Sequence, residues 1–412
     1  MKSLKENLRQ IVHKLRDIRA GHFLKKKIKY KNLIEVVFIC QCQHIWDKQK
    51  SVAKMLSSIE KYHVTLLIVP EENGVDDTIF ERYAISNGID YIKYEYNILK
   101  TIKPQLIFYP RPYDSYLPND LKTKNTYKKA KCIYIPYGYS FMKLGDVNLS
   151  LAFTRQISLF IADTTYAYDY FNKSCSYNLK KGYQTSVNIG FSYMEDLYVN
   201  HSEYLNSRNM FDSIKNSGYK VIWTPRWVID DTMGGSNFFR YIDDIFNMFI
   251  NNEDYSFIFR PHPYAFSNFV NIKLMTQAEV DNYLNRISNS SNSFYDNSSE
   301  YLSTFENSDA LITDVSSIIA EYMVTKKPII FCHNESSEVL NDFTLKCCDM
   351  AFYNAYSFDD IKRIITDLKQ GIDPLKESRE RFIDNFINTF VGTNDRIRVL
   401  LDNKERDWFK NE

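Results

Sequence analysis

Residues Ala310-Leu311-Ile312-Thr313-Asp314-Val315-Ser316-Ser317-Ile318-Ile319-Ala320-Glu321-Tyr322 run from a short apolar segment, through hydroxyl and carboxyl side chains, into a second apolar segment. An apolar run closed by capping residues that open a helix reads as a strand–turn–helix unit. The turn offers two serine hydroxyls and backbone N–H groups at a helix N-terminus, where orphan amides and the dipole favour an anion such as phosphate. Thr313, Asp314, Ser316 and Ser317 are equally the ordinary capping residues of any helix, so the turn needs a partner to mean more. That partner lies upstream. The strand-like run Tyr255-Ser256-Phe257-Ile258-Phe259 leads into Arg260-Pro261-His262-Pro263. Proline on both sides of His262 stiffens the backbone and forbids helix, so the imidazole is aimed by a rigid loop. Its charge switches near neutral pH, and Arg260 suits bidentate contact with phosphate oxygens.

The same alternation extends in both directions. Strands are expected at Ile34–Cys40, Val64–Val69, Asp90–Tyr94, Leu106–Tyr109, Ile133–Ile135 and Leu159–Ala162, with helices at Lys48–Tyr62, Asp77–Asn87 and Thr164–Asn172 among them. A second series places strands at Tyr219–Trp223, Tyr255–Phe259, Ala310–Ile312 and Pro328–Phe331, and helices at Asn237–Asn251, Ser316–Val324, Asp359–Leu368 and Glu377–Asn388. Ser288–Ser299, rich in Ser and Asn, reads as an exposed loop. Strands alternating with helices predict α/β architecture, here two Rossmann-like doubly wound domains facing across a cleft, with ligands at the strand C-termini. The expected boundaries are 1–31 for a basic helix, 32–200 and 201–385 for the two domains, and 386–412 for a helical tail.

The chain has 412 residues, with 31 Tyr and 28 Phe but only 12 Gly, a globular composition too long for one ordinary core. No apolar run reaches the ~20 residues of a membrane span. Seven cysteines without paired zinc spacing read as reduced, buried thiols of a cytoplasmic protein. The net charge of +1 conceals an asymmetry: residues 1–31 carry eleven Lys/Arg against Glu6 and Asp17, a net +9 that leaves −8 on the remainder. Leu4, Leu8, Ile11, Leu15, Ile18 and His22 recur at helical spacing within it. Two readings stand: a helix lying on an anionic membrane surface, or a helix packing its apolar stripe on the first domain. No recognition fold accompanies the basic segment, which argues against nucleic acid.

Four further segments sit at expected strand ends. Trp223-Thr224-Pro225-Arg226-Trp227 brings an arginine and aromatics suited to a base and a phosphate, or makes a hydrophobic turn. Cys42-Gln43-His44-Ile45-Trp46-Asp47, Arg111-Pro112-Tyr113-Asp114 and Tyr134-Ile135-Pro136-Tyr137-Gly138-Tyr139 lie in the first half, where an acceptor would bind. His44 is a candidate acceptor-side base, and core and turn packing is the competing account of the tyrosines. There is no D-x-D pair to hold a divalent metal on a nucleotide diphosphate, no P-loop and no G-x-G-x-x-G.

Trp223–Trp227, Arg260–Pro263, and Thr313–Ser317 through Lys327-Pro328-Ile329-Ile330-Phe331 occur in the order found in one family. So does Val187-Asn188-Ile189-Gly190-Phe191 with Asp196. In these motifs, over roughly residues 130–370, the chain resembles the CDP-glycerol:poly(glycerophosphate) glycerophosphotransferases of teichoic-acid synthesis. The resemblance implies a GT-B-like fold and a CDP-glycerol or similar CDP-polyol donor bound mainly to the second domain. Arg226, Arg260, His262, Thr313, Asp314, Ser316, Ser317 and Glu321 would form the donor side. A hydroxyl of a glycan or lipid-linked acceptor would attack the β-phosphorus and release CMP, with no cofactor and no metal. The sequence departs from the family at two places: Tyr137 stands where a Trp-His-Gly histidine is expected, and Glu321 where the family has Asp. Either Tyr137 then only positions the acceptor, or His44 or Asp114 serves as the catalytic base, or the chemistry differs. A GT-B glycosyltransferase using a UDP or GDP sugar, and a catalytically inactive nucleotide-binding relative, are the alternatives.

Overall fold

The computed structural model describes residues 2–70, 78–143, 149–200, 208–230, 233–334 and 339–411. The expected helix start at Asp77, the side chains of Lys2, Leu4, Lys5 and Arg9, and the polar join at 201–207 lie outside the described residues.

The strands in chain order are β1 Ile28–Tyr30, β2 Ile34–Cys40, β3 Tyr62–Ile68, β4 Asp90–Lys93, β5 Leu106–Tyr109, β6 Lys131–Tyr134, β7 Leu159–Ile161, β8 Thr185–Val187, β9 Tyr219–Thr224, β10 Tyr255–Phe259, β11 Ser293–Tyr295, β12 Ala310–Thr313, β13 Ile329–Cys332, β14 Tyr353–Ala355 and β15 Phe409–Asn411. They belong to two compact units, one of Met1–Tyr139, Leu144–Asp196 and Phe390–Glu412, the other of Ser140–Lys143 and Leu197–Thr389.

The first unit holds a seven-stranded sheet in the order β4-β3-β2-β5-β6-β7-β8, parallel throughout. Its central strands are buried on both faces, as a parallel sheet covered by helices requires. One face packs Val36, Phe38, Leu66, Phe108 and Ile133 with helical residues Val52, Leu56 and Phe80. The other packs Val37, Ile39, Tyr109 and Cys132 with Phe153 and Phe171. The chain order reverses between β2 and β5, so the loops after those strands flank a topological switch point, where open α/β sheets take ligands.

The second unit repeats the plan with six parallel strands in the order β11-β10-β9-β12-β13-β14, and its switch point falls between β9 and β12. The helix Phe238–Phe249 carries Phe238, Tyr241, Ile242, Ile245, Phe246 and Phe249 on one buried face, the i, i+3, i+4 spacing of an amphipathic helix on a sheet. The expectation of an exposed loop at Ser288–Ser299 is corrected. This stretch contains β11, and both Asn292 and Asp296 are buried. The Asn292 amide donates to the carbonyls of Phe249, Asn252 and Tyr255 at 2.8–2.9 Å, replacing backbone ladder bonds with a side chain. Composition alone cannot distinguish that use of Asn from a solvated loop.

The C-terminal segment is not a separate tail. Helix Lys376–Asn388 belongs to the second unit, whereas helix Thr393–Trp408 buries Ile397, Leu401 and Trp408 in the core of the first. Glu195 receives it, its carboxylate accepting the N–H groups of Gly392 at 2.6 Å and Asn394 at 2.7 Å, while the Ile189 carbonyl accepts from Arg396 Nε at 2.7 Å. The Gly190-containing motif therefore anchors the returning chain. β15 then pairs in parallel with β1.

The N-terminal helix spans Lys2–Leu24. Ala20 and Leu24 enter the first unit's core, Asp17 accepts from Arg155 Nε at 2.7 Å, and the Asn178 amide donates to the Asp17 carbonyl at 3.0 Å. Lys131, which burial lowers to about 8, donates to the Leu24 carbonyl at 2.5 Å. The expected apolar stripe is on the opposite side: Leu8, Ile11, Leu15 and Ile18 are all exposed, Leu15 at 60%. The stripe therefore does not pack on the first domain.

Candidate functional site

At the second unit's switch point the backbone N–H of Arg226 donates to Asp314 Oδ2 at 2.9 Å, joining the loop after β9 to the loop after β12. The Asp314 carboxylate also accepts the Asn237 backbone N–H at 3.3 Å and the Asn237 side-chain amide at 2.8 Å. Burial pushes the Asp314 carboxyl up, and these N–H groups offset only part of that rise. Thr313 is likewise internal: its hydroxyl accepts from Thr224 Oγ1 at 2.8 Å, cross-linking the ends of β9 and β12. The two residues expected to touch a ligand thus hold the loops that do the presenting.

Ser316 and Ser317 are different. Ser316 is half-buried and Ser317 exposed, and among the described residues neither hydroxyl has a hydrogen-bond partner. The helix behind them is only Ile318–Met323, shorter than the expected Ser316–Val324, and takes no side-chain cap from Ser317. With so short a helix, the dipole argument gives way to the two hydroxyls. Arg226 lies beside them, its Nη1 donating to the Val315 carbonyl at 2.6 Å. Gly234 closes over this arginine with φ +89; a Cβ there would meet Val315 Cγ1 at 2.8 Å, so only glycine fits.

His262 follows β10, as its proline frame requires. Its ring stacks on Trp227 with centroids 5.5 Å apart. Its Nδ1 accepts the backbone N–H of Tyr264 at 3.1 Å, which assigns the hydrogen of the neutral ring to Nε2. His262 is therefore set up as a donor at Nε2. Arg260 is not poised for bidentate phosphate contact: Nη1 donates to Asp296 at 2.6 Å, Nη2 to the Ser298 carbonyl at 2.9 Å, and the guanidinium lies 4.3 Å over the Tyr301 ring. Tyr301 in turn donates to Glu321, which is buried. Arg260, Tyr301 and Glu321 form one supporting chain beneath the His262 loop. Asn237, Asp296, Tyr301 and Gly234 were not legible as site residues; the Gly234-Gly235 pair just beyond Arg226-Trp227 was the one local signal.

The loops of the first unit also converge at its switch point. Arg111 Nη1 donates to Gln41 Oε1 at 3.1 Å and its Nη2 to Cys42 Sγ at 3.5 Å, while His44 Nε2 lies 3.7 Å from the same sulfur. Asp114 is committed elsewhere, accepting the Thr123 backbone N–H at 3.1 Å and its hydroxyl at 2.7 Å; burial pushes its carboxyl up. Tyr137 is 36% exposed. Surrounding protein raises its phenol above the usual value despite the lowering effects of Tyr113 and Arg111, so even less of it ionises near neutral pH than of an ordinary tyrosine. All seven cysteines are buried and none forms a disulfide. Among the described residues no group of three or more His, Cys, Asp or Glu side chains is placed to hold a metal ion, and no helix is long and apolar enough to cross a membrane.

Three comparisons bear on this arrangement. The fold is similar to that of the wall teichoic acid polymerase TagF in a structure with CDPG, at 15% identity, 98% coverage of this chain and 96% of that one, and TM-score 0.56. It is similar to MnaA of S. aureus with UDP, at 11% identity, coverage of 89% and 95%, and TM-score 0.58. It is also similar to the UDP-GlcNAc 2-epimerase from Neisseria meningitidis bound to UDP-GlcNAc, at 11% identity, coverage of 89% and 99%, and TM-score 0.54. At these identities the likenesses establish the GT-B-like fold alone. No curated protein matches by sequence. The family model for CDP-Glycerol:Poly(glycerophosphate) glycerophosphotransferase matches residues 160–399, more than half of the chain, including both loops joined by Asp314 and the His262 loop; the chain belongs to that family of transferases.

Proposed function

We propose that this protein moves glycerol phosphate, or a similar polyol phosphate, from a CDP-activated donor to a hydroxyl of a cell-surface glycan or lipid-linked acceptor, releasing CMP. The observation that carries the reading is the division of labour at the second switch point. Thr313 and Asp314 are spent on holding the loops, and the hydroxyls of Ser316 and Ser317 remain beside Arg226. Transfer of a phosphoryl-type group needs positioning and charge neutralisation more than covalent chemistry. In this reading Arg226 and the two serines hold the donor diphosphate. The neutral His262 ring gives a hydrogen bond from Nε2, keeping its proton, to the phosphate oxygen that leaves with CMP; the proton of the attacking hydroxyl passes to solvent, and Arg260 and Glu321 position the His262 loop. A metal is not part of the proposed mechanism.

The test is nucleotide release by the purified protein with CDP-glycerol, CDP-ribitol, and UDP or GDP sugars, given a crude membrane acceptor. CMP release from a CDP-polyol, lost in His262→Ala, supports the reading and names the donor. Release of UDP or GDP replaces it with sugar transfer. Tyr137, standing where the family has a histidine, favours a second reading, an inactive binding relative. Tight CDP-glycerol binding without turnover would support that reading, and Tyr137→His would then be the change to restore activity.

We also place the protein on the cytoplasmic face of a membrane. The docked side of helix Lys2–Leu24 leaves Leu8, Ile11, Leu15 and Ile18 outward within a segment of net charge +9, the pattern of a helix lying on anionic lipid.

A further inference from the structure

The second unit has a cleft at the end of its sheet away from the donor loops. We propose that this asparagine-lined cleft binds a neutral carbohydrate. The site is separate from the loops that hold the donor, and it does not depend on the transferase reading.

The cleft measures about 500 Å³ and lies between the ends of helices Phe238–Phe249 and Gln277–Ser288, a volume that suits a small ligand. Helical spacing builds it. Asn282, Asn285 and Asn289 follow one face of the second helix, and Asn247 and Asn251 are one turn apart at the end of the first. The two helices are fixed side by side. The Tyr283 hydroxyl donates to Asp243 Oδ1 at 3.1 Å, Arg286 Nη2 donates to Asn247 Oδ1 at 2.9 Å, and the rings of Phe246 and Tyr283 meet edge-on at 5.6 Å. These contacts advance in step along both helices, so the helices run parallel. Asn251 is fixed as well, at φ +60, with its backbone N–H donating to Asn292 Oδ1 at 2.9 Å. Asn292 directly precedes β11, and its amide donates to the Tyr255 carbonyl at the start of β10 at 2.9 Å. The cleft therefore abuts the N-terminal ends of these strands, whereas Arg226, His262 and Ser316 follow the C-terminal ends of β9, β10 and β12.

The lining selects the ligand. Its polar side chains are five asparagines and Arg286. Asn251, Asn282, Asn285 and Asn289 are exposed, and their side-chain amides have no hydrogen-bond partner among the described residues. Each presents a donor and an acceptor in one plane, the pair that two neighbouring hydroxyls of a sugar satisfy together. Half-buried Ile250 adds an apolar patch for the C–H face of a sugar ring. Arg286 does not make this an anion site: its Nη1 faces Asp243 at 3.7 Å, and its guanidinium lies 5.3 Å over the Phe246 ring. The C-terminal ends of two parallel helices also converge here. Their carbonyl groups carry partial negative charge, which opposes a phosphate and accepts from a hydroxyl. Among the described residues no carboxylate lines the cleft, so a hard cation lacks its usual ligands.

The test is calorimetric titration of the full chain with maltotetraose, chitotetraose and mannotetraose, and with dextran sulfate as the charged counterpart. The expected result is saturable binding of at least one neutral oligosaccharide, weakened roughly 10- to 100-fold in the double variant Asn282→Ala, Asn285→Ala, the loss of about one neutral hydrogen bond per residue. Both side chains are exposed, so the melting temperature should not change. Dextran sulfate, which suits the basic N-terminal segment, should bind wild type and variant equally. Binding of none of the three neutral oligosaccharides overturns the proposal. So does equal binding of them by wild type and variant, or dextran sulfate binding that depends on these asparagines. If the double variant does not fold, Asn282→Asp carries the test: weaker oligosaccharide binding supports the site, and unchanged binding overturns it.

Discussion

The carboxylate of Asp314 accepts the backbone N–H of Arg226 at 2.9 Å, so an acidic side chain in the loop after β12 sets the main chain that carries the cation after β9. The same carboxylate accepts from both nitrogens of Asn237 and thereby fixes the start of helix Phe238–Phe249. Three segments meet on one buried acceptor.

Replacing it tests that arrangement. Asp314→Asn presents an NH2 group where donors converge, leaving at least one buried N–H without an acceptor, at a cost of about 1–3 kcal/mol. The expected outcome is a lower melting temperature and a fall in CMP release of roughly 100-fold. Asp314→Asn with wild-type turnover would remove the clamp from the donor site.

His262 is expected in the Nε2–H tautomer, because Tyr264 N–H occupies Nδ1. Nitrogen NMR of the ring reads this directly, and an Nδ1–H signal would contradict the assignment. His262→Ala should lower turnover by roughly 10²- to 10³-fold, the range for removing one hydrogen-bond donor to developing charge, with folding retained because the side chain is only half-buried.

His63 lies between Glu35 at 2.6 Å and Asp90 at 2.9 Å, across the starts of β2, β3 and β4. The Glu35 hydrogen bond first, then Asp90, raises its pKa above 6.5. A raised folded pKa means the stabilisation is fully present below the unfolded value of about 6.5 and is lost as pH rises through the higher folded value. The difference in melting temperature between wild type and His63→Gln should therefore be largest below the unfolded value of about 6.5 and shrink as pH rises above it. A gap that widened with pH would reverse the assignment.

The outward stripe of the N-terminal helix should be dispensable for folding. A variant with Leu8→Gln, Ile11→Gln, Leu15→Gln and Ile18→Gln should keep the wild-type melting temperature and lose sedimentation with vesicles of phosphatidylglycerol, while neither protein sediments with phosphatidylcholine vesicles alone. Retained sedimentation of the variant would remove the stripe from the membrane reading.

By itself, the sequence determined the two parallel α/β sheets, because apolar runs ending in turn residues and followed by 3.6-period segments leave few other packings. It also determined the N-terminal cation excess and located the loops of the second unit's switch point, since Arg226 and Ser316-Ser317 come shortly after β9 and β12. Tertiary structure alone decided what each polar residue in those loops does. Thr313, Asp314 and Ser316 are interchangeable as capping types, yet Thr313 and Asp314 face neighbouring strand ends and are consumed by them, whereas Ser316 is not. Arg260 reads as a phosphate ligand until Asp296, in a stretch that composition marks as loop, reaches it at 2.6 Å. The return of Ile397 and Leu401 to the first core was equally hidden. Pattern reports which face of a segment is apolar; which distant partner satisfies a polar group is set by strand order and register, and those come from the packing of the whole chain.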